Sequence, residues 1–370
     1  MFKKAGIIGL GLIGGSLAKA LKNRYGIEKI VACNRNEDVL KLAYSEGVID
    51  EYSTNVNEMF KGCDIVIICT PVSKIFDYAK ELTKYIDKDC IVTDVGSTKL
   101  KIYENMKTIS DKITYIGGHP MTGSERFRYN ASKEHIFENA YYIMTPSEDT
   151  PEDKISSLKD MIEKIGAIPI IISPEEHDYV TASISHVPHV LASALVNTVK
   201  NLDTDRGYMH LLAAGGFRDT TRIASSSPDM WENICIENKD NIISVLNSFE
   251  EVIKNAKTII ENCDEKSIYN FFENAKNYRD SFATSTPKDY ARRYEITVDV
   301  IDKPGSIAII SVLLSSNNIN IKNMGILNSR DTEDGVLYVA FDTEEQRQKS
   351  ISLLRSMNYE VNEKWLKDWF

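Results

Sequence analysis

MFKKAGIIGLGLIGGSLAKAL (residues 1–21) decides the reading of the first half of the chain. Ala5–Ile8 is a short apolar run, and Gly9, Gly11 and Gly14 follow it as G-x-G-x-x-G at the opening of a helical stretch. At such a junction the first glycine permits a tight turn, the second lets the backbone approach a diphosphate, and the third lets helix and strand pack closely. The helix N-terminus then offers free N–H groups and a positive dipole end to that diphosphate. A glycine-rich turn at a packed junction would need no ligand; the strand–helix context favours dinucleotide binding. Leu12 and Ile13 in the loop, and Thr70 and Pro71 after the run Ile65–Cys69, are the other expected cofactor contacts. At the end of the second strand, where an acidic residue usually holds a ribose 2′-OH, the chain carries Asn34 and Arg35. Asn34 can still bond a hydroxyl. Arg35 can stack on an adenine, pair with a 2′-phosphate, or simply be solvated. On the residues alone NAD and NADP both stay open.

Outward from this stretch, β-branched runs alternate with helical segments to about residue 173. The runs are Ala5–Ile8, Ile30–Ala32, Ile65–Cys69, Ile91–Asp94, Tyr115–Gly117, Tyr141–Met144 and Ile168–Ile172. Continuous apolar runs separated by helices describe strands buried on both faces, hence an α/β, Rossmann-type doubly wound parallel sheet over 1–173. From Pro174 the pattern is helical only, as in HDYVTASISHVPHVLASALVNTV (177–199), which predicts an all-α substrate and dimerisation domain over 174–283. FATSTPKDYA (282–291) has turn chemistry and predicts a linker at 284–291. Residues 292–370 then read strand, helix, two strands, helix, strand, the ferredoxin-like split βαβ plan of an α+β module.

The bulk composition restricts the function classes. Of 370 residues, 42% are apolar and 26% charged, the balance of a globular protein with a sizeable core. A net charge of −10, from 44 basic and 54 acidic residues, argues against a nucleic-acid partner. Six cysteines at 33, 63, 69, 90, 235 and 263 form no CxxC pair and read as buried thiols of a reducing compartment. No run of 18 apolar residues occurs, so no membrane span is expected, and glycines break the N-terminal apolar stretch where a signal peptide would be continuous. The expectation is a cytoplasmic protein.

Four polar segments carry the chemistry: DVGSTK (94–99), GGHPMTGSE (117–125), SISHVPH (183–189) and GGFRDTTRIASSSPDMW (215–231). Histidine is the natural acceptor of a hydroxyl proton near neutral pH, and His119 follows a strand end, where ligand crevices of such sheets lie. Ser97, after another strand end, can orient an imidazole or cap the next helix. His186 and His189 have H-x-x-H spacing but no companion carboxylate, so no metal is expected. Arg218 and Arg222 can grip a carboxylate through two hydrogen bonds or line a solvated face.

With TDVGSTK (93–99), EEHDYVTASISHVPH (175–189) and GLGLIGGS (9–16), these segments resemble the prephenate dehydrogenase family of tyrosine biosynthesis, along the whole chain. The resemblance implies oxidative decarboxylation of prephenate to 4-hydroxyphenylpyruvate with NAD as hydride acceptor. It implies His119 as acceptor of the 4-hydroxyl proton, Ser97 as its positioner, and Arg222 on a substrate carboxylate. His189, Ser185, Ser124, Glu125, Asp219 and Trp231 would line the pocket, and Gly216 would sit in a loop reaching the site from the partner of a homodimer. Residues 292–370 resemble an ACT domain, a small-molecule sensor, with the turn at Asp302, Pro304 and Gly305 as the ligand loop, Asn320 and Ile321 at the start of the second strand as further allosteric residues, and L-tyrosine as the expected inhibitor. Arogenate dehydrogenase, a generic hydroxy-acid dehydrogenase and a non-catalytic amino-acid sensor are the competing readings; the intact His119, Ser97 and Arg222 set argues against the last.

Overall fold

The computed structural model describes residues 1–122, 128–282, 294–301, 303–327, 334–341 and 343–362. The chain divides into two compact units, Met1–Thr258 and Ile259–Phe370.

The first unit is built on an eight-stranded sheet: β1 (Lys4–Ile8), β2 (Lys29–Cys33), β3 (Glu51–Ser53), β4 (Ile65–Ile68), β5 (Ile91–Asp94), β6 (Thr114–Pro120), β7 (Tyr141–Pro146) and β8 (Ile168–Ile171). Their order is β3-β2-β1-β4-β5-β6-β7-β8. The chain reverses its winding between β1 and β4, which leaves a crevice outside the carboxyl ends of these strands. β4 is buried throughout, and β1 in all but its first residue, as strands covered on both faces must be. Two apolar clusters fill the two faces, one around Ile7, Leu17 and Ile67, the other around Ile8, Val66 and Phe60.

Two features depart from the sequence reading. β3 is an additional short edge strand, too polar to register as an apolar run. β7 runs antiparallel to β6, with His119 opposite Ile143, so the sheet is mixed and not wholly parallel. The reason lies in the connection. Among its described residues it holds only the single turns Tyr129–Ala131 and Glu134–Phe137, and a parallel return needs a crossover, usually a helix.

Ser173 caps the first helix of the helical segment by accepting from the Glu176 N–H at 3.1 Å, and Pro174 occupies the first turn, where its missing N–H costs nothing. The helical run continues to Leu202 through a π-type turn at Ala182–His186. By length and composition Pro174–Leu202 is apolar enough to cross a membrane, a property hidden from a search for unbroken apolar runs by its interspersed histidines and serines. Its buried side carries His177, Asp178, Thr181 and His186, of which His177, Asp178 and His186 bond to the rest of the unit.

The second unit holds β9 (Tyr294–Ile301), β10 (Asn323–Leu327), β11 (Asp334–Phe341) and β12 (Val361–Asn362), with helices Ser306–Ser316 and Glu344–Ser356 between them. All pairs are antiparallel, in the order β10-β11-β9-β12, over a core of Val298, Ile310, Leu314, Leu337 and Leu354. Gly305 has φ 96° immediately before the first helix, a backbone region that favours glycine. Asn320 and Ile321 precede β10 by a few residues, while Asp302 and the expected linker at 284–291 lie outside the described residues.

Candidate active site

The glycine loop follows β1 at the switch point. Gly9 has φ 97°, and its N–H donates to the Cys33 carbonyl at 2.8 Å. A Cβ on Gly14 would lie 1.9 Å from the Gly9 carbonyl oxygen, so only glycine lets the helix Leu12–Ala20 approach this closely. Gly11, by contrast, has nothing within 4 Å of where its Cβ would stand, leaving the loop open on the crevice side. That helix has no side-chain cap and no acidic residue in its first turn, so its N–H groups face the crevice. Thr70, after β4, holds a buried Oγ1 without a partner among the described residues. This is a cradle that fits a dinucleotide diphosphate. Asn34 is already engaged: its Oδ1 accepts from the Leu10 N–H at 3.3 Å and its Nδ2 donates to the Asn36 carbonyl at 3.1 Å. Arg35 and Pro71 are exposed.

His119 stands near the end of β6. Its Nδ1 lies 2.8 Å from His177 Nε2, and His177 Nδ1 lies 2.7 Å from Asp178 Oδ1. The same carboxylate closes the N-terminus of the helix Leu100–Lys107, accepting from the Lys99 N–H at 2.7 Å and the Leu100 N–H at 2.9 Å. The cap of that helix is therefore Asp178 and not Ser97. Ser97 sits partly exposed in the β5 loop and makes no hydrogen bond with His119 among the described residues; the bond to the His119 imidazole comes from His177.

Beneath them lies a buried ion pair. Lys99 and Asp94, both fully buried, meet through Nζ and Oδ2, and that oxygen also accepts from the Gly96 N–H at 2.7 Å. Asp94 Oδ1 accepts from the Tyr115 hydroxyl at 2.7 Å and the Gly118 N–H at 3.2 Å. One carboxylate thus ties the β5 loop to β6 next to His119.

The helical segment brings up the other side. Asn238 Nδ2 donates to the Asp178 carbonyl at 2.7 Å and lies 3.1 Å from His186 Nδ1. The His189 ring stacks on Trp231 with centroids 3.8 Å apart, and His186 meets the same indole edge-on. His186 and His189 thus both pack against the Trp231 ring. His189 also makes a hydrogen bond with the Ile223 backbone and feels the Arg222 charge. His189 Nδ1 and Trp231 Nε1 are buried without partners among the described residues. Ser185 lies on the π-type turn and is partly exposed; Arg222, Asp219 and Gly216 are exposed on or just after the helix Gly215–Thr221. Ser124 and Glu125 lie outside the described residues.

The electrostatics favour neutral imidazoles. Burial, and then the positive charge available on His177, Lys99 and His186, hold His119 well below the usual histidine value. Burial also lowers His177, although the Asp178 carboxylate opposes it, and pushes His186 down to about 4. At neutral pH His119 is therefore an acceptor. The sequence reading missed His177, Asp178, Asp94, Lys99 and Asn238 as site residues, although the first four fall inside segments it singled out; Asn238 carries no sequence signal.

Fold and glycine loop together define a dinucleotide-dependent oxidoreductase, and the comparisons narrow the class. The nucleotide-binding domain model of prephenate dehydrogenase matches residues 17–171, and the dimerization domain model matches 173–274. The prephenate dehydrogenase of Bacillus subtilis is 36% identical over 346 residues, 93% of each chain. Among solved structures, a prephenate dehydrogenase from Aquifex aeolicus, in complex with hydroxyphenyl propionate and NAD+, superposes with a TM-score of 0.72 at 33% identity, over 75% of this chain and 98% of that one. Synechocystis arogenate dehydrogenase superposes with a TM-score of 0.68 at 28% identity, over 75% and 99%. The chain belongs to the prephenate dehydrogenase family.

Proposed function

We propose that the chain oxidises and decarboxylates prephenate to 4-hydroxyphenylpyruvate with NAD as hydride acceptor, a step of tyrosine biosynthesis in the cytoplasm. The observation that carries this reading is a neutral His119 held at the carboxyl edge of the sheet, on the crevice that also receives the Gly9–Gly14 loop. NAD fits that loop: Gly11 leaves room for its diphosphate, the helix Leu12–Ala20 supplies N–H groups, and Thr70 Oγ1 offers a polar atom without a partner among the described residues. When bound, it supplies the hydride acceptor. His119 Nε2 takes the proton of the substrate's ring hydroxyl, and the carboxylate on the opposite ring carbon leaves as carbon dioxide while the ring becomes aromatic. Arg222 binds a substrate carboxylate, beside His189 Nδ1 and Trp231 Nε1, which have no partner among the described residues. Ser97, Ser185, Asp219, Ser124 and Glu125 complete the pocket, and Gly216 reaches it from the partner of a homodimer formed through the helical segment. The test is the appearance of reduced cofactor with prephenate, arogenate and a simple hydroxy acid, each with NAD and NADP. Turnover of prephenate with NAD is the expected result; preference for arogenate or for a hydroxy acid would overturn it.

Arg222 provides a separate check. A charge-assisted bond contributes roughly 1.5–3 kcal/mol, so KM for prephenate should rise by tens-fold in Arg222→Ala, with NAD affinity little changed. Arg222→Lys should fare no better, because an ammonium cannot make the planar two-point contact. A normal KM in Arg222→Ala would move the carboxylate to Arg218.

The second unit reads as an ACT-like regulatory module. The turn at Pro304–Gly305 opens the helix Ser306–Ser316, and Asn320 and Ile321 stand just before β10. L-tyrosine bound there should weaken prephenate binding by about 5–150-fold, the range of a coupling of ~1–3 kcal/mol, and prephenate must weaken tyrosine binding equally. Titrating tyrosine against the full chain and a chain truncated after Ser285 decides this. Inhibition surviving truncation would place tyrosine in the active site.

A further inference from the structure

The hydrogen bonds behind His119 run in one direction only. The Lys99 and Leu100 peptide N–H groups are fixed donors, at 2.7 and 2.9 Å, so both Asp178 oxygens must accept. His177 Nδ1, 2.7 Å from Oδ1, must then carry a hydrogen. His177 is fully buried with Lys99 nearby, and burial lowers its pKa, so it is neutral and its Nε2 has only a lone pair. His119 Nδ1, 2.8 Å away, must therefore donate, which leaves His119 Nε2 unprotonated. Neither His177 nor Asp178 needs to touch substrate for this to hold.

We infer that His177 and Asp178 form a positioning pair that fixes the tautomer of His119, directing a free Nε2 lone pair at the substrate hydroxyl. The inference rests on the function proposed above and adds a division of labour to it. When the hydroxyl O–H bond breaks, its proton forms the new N–H bond at Nε2. The Nδ1–H stays bonded to His177, and the Asp178 charge stabilises the imidazolium through that neutral ring. The groups around the pair are Lys99, Asp94, Tyr115 and His186, and each is accounted for: Lys99 by Asp94, Tyr115 by Asp94, His186 by Asn238. Holding the base in one tautomer matters kinetically, because the other presents an N–H where an acceptor is required.

The test reads the tautomer directly. Histidine-selective ¹⁵N labelling of the full chain and two-bond ¹H–¹⁵N correlation distinguish Nδ1–H from Nε2–H, and His119→Asn assigns the signal. The expected result is Nδ1–H for His119 at neutral pH, kept in His177→Gln, whose carbonyl oxygen can replace Nε2 as acceptor. His177→Leu should shift His119 towards Nε2–H and lower kcat on the order of 10²-fold, within the range for general-base catalysis, with KM and NAD affinity nearly unchanged. His177→Gln should restore most of the loss, which a purely structural role would not predict. Nε2–H in the unaltered chain, or equal kcat in His177→Leu and His177→Gln, would overturn the inference. Should His177→Leu fail to fold, the tautomer of the unaltered chain still decides. Failure to turn over prephenate with His119 in the Nδ1–H form would count against the proposed function and leave the positioning intact.

Discussion

His119→Asn should bind NAD normally yet lose on the order of 10²–10⁴ in kcat, the usual contribution of a positioned general base. Asn has no group that ionises near neutral pH, so it cannot take up the hydroxyl proton. The pH profile gives the sign. Protonation abolishes the base, so kcat/KM must rise with pH through the His119 pKa and then level off. Burial, His177, Lys99 and His186 all depress that pKa. The rise should therefore fall well below the ordinary histidine value of about 6.5, leaving a plateau across neutral pH. A rise centred near 6.5 would mean a solvated imidazole, and near-normal turnover in His119→Asn would remove the residue from the mechanism.

Asp94→Asn should be the most destabilising change in the site. Lys99 and Asp94 are both fully buried, and the carboxylate also receives the Gly96 and Gly118 N–H groups and the Tyr115 hydroxyl. Removing one partner of such a pair strands the other charge in a low dielectric and costs about 3–5 kcal/mol. For a unit of this size that is a fall of roughly 10 °C in Tm. Lys99→Met alone should also destabilise, but the double variant should lose less than the two singles added together, because no uncompensated charge remains. Thermal unfolding of the four proteins tests this. A stable Asp94→Asn variant would show that the pair does not anchor the loop.

The parts of the fold legible in the sequence are those with a local cause. Runs such as Ile65–Ile68 announce buried strands, and Gly9, Gly11 and Gly14 announce the turn, because burial and backbone geometry constrain residue types one position at a time. Strand direction has no such mark. β7 is as apolar as the parallel strands, and its reversal goes with a connection whose described residues hold only single turns and no crossover helix. β3 is short and half polar, so it exists through pairing with β2 and not through its own pattern.

The site divides in the same way. His119 and Arg222 stand in distinctive segments. The partner of His119 is 58 residues away, and the peptide groups that hold Asp178 are 79 and 78 residues away, separations with no periodicity to reveal them. Lys99 illustrates the limit most clearly: a lysine after a strand reads as a solvated charge, and only the packed structure shows it sealed against Asp94.

The most direct test of the account is stoichiometry. Prephenate labelled in its ring carboxylate should yield carbon dioxide, NADH and 4-hydroxyphenylpyruvate in equal amounts when incubated with the full chain and NAD. NADH formed without labelled carbon dioxide, or carbon dioxide released without NADH, would contradict the assignment of a single oxidative decarboxylation to this site.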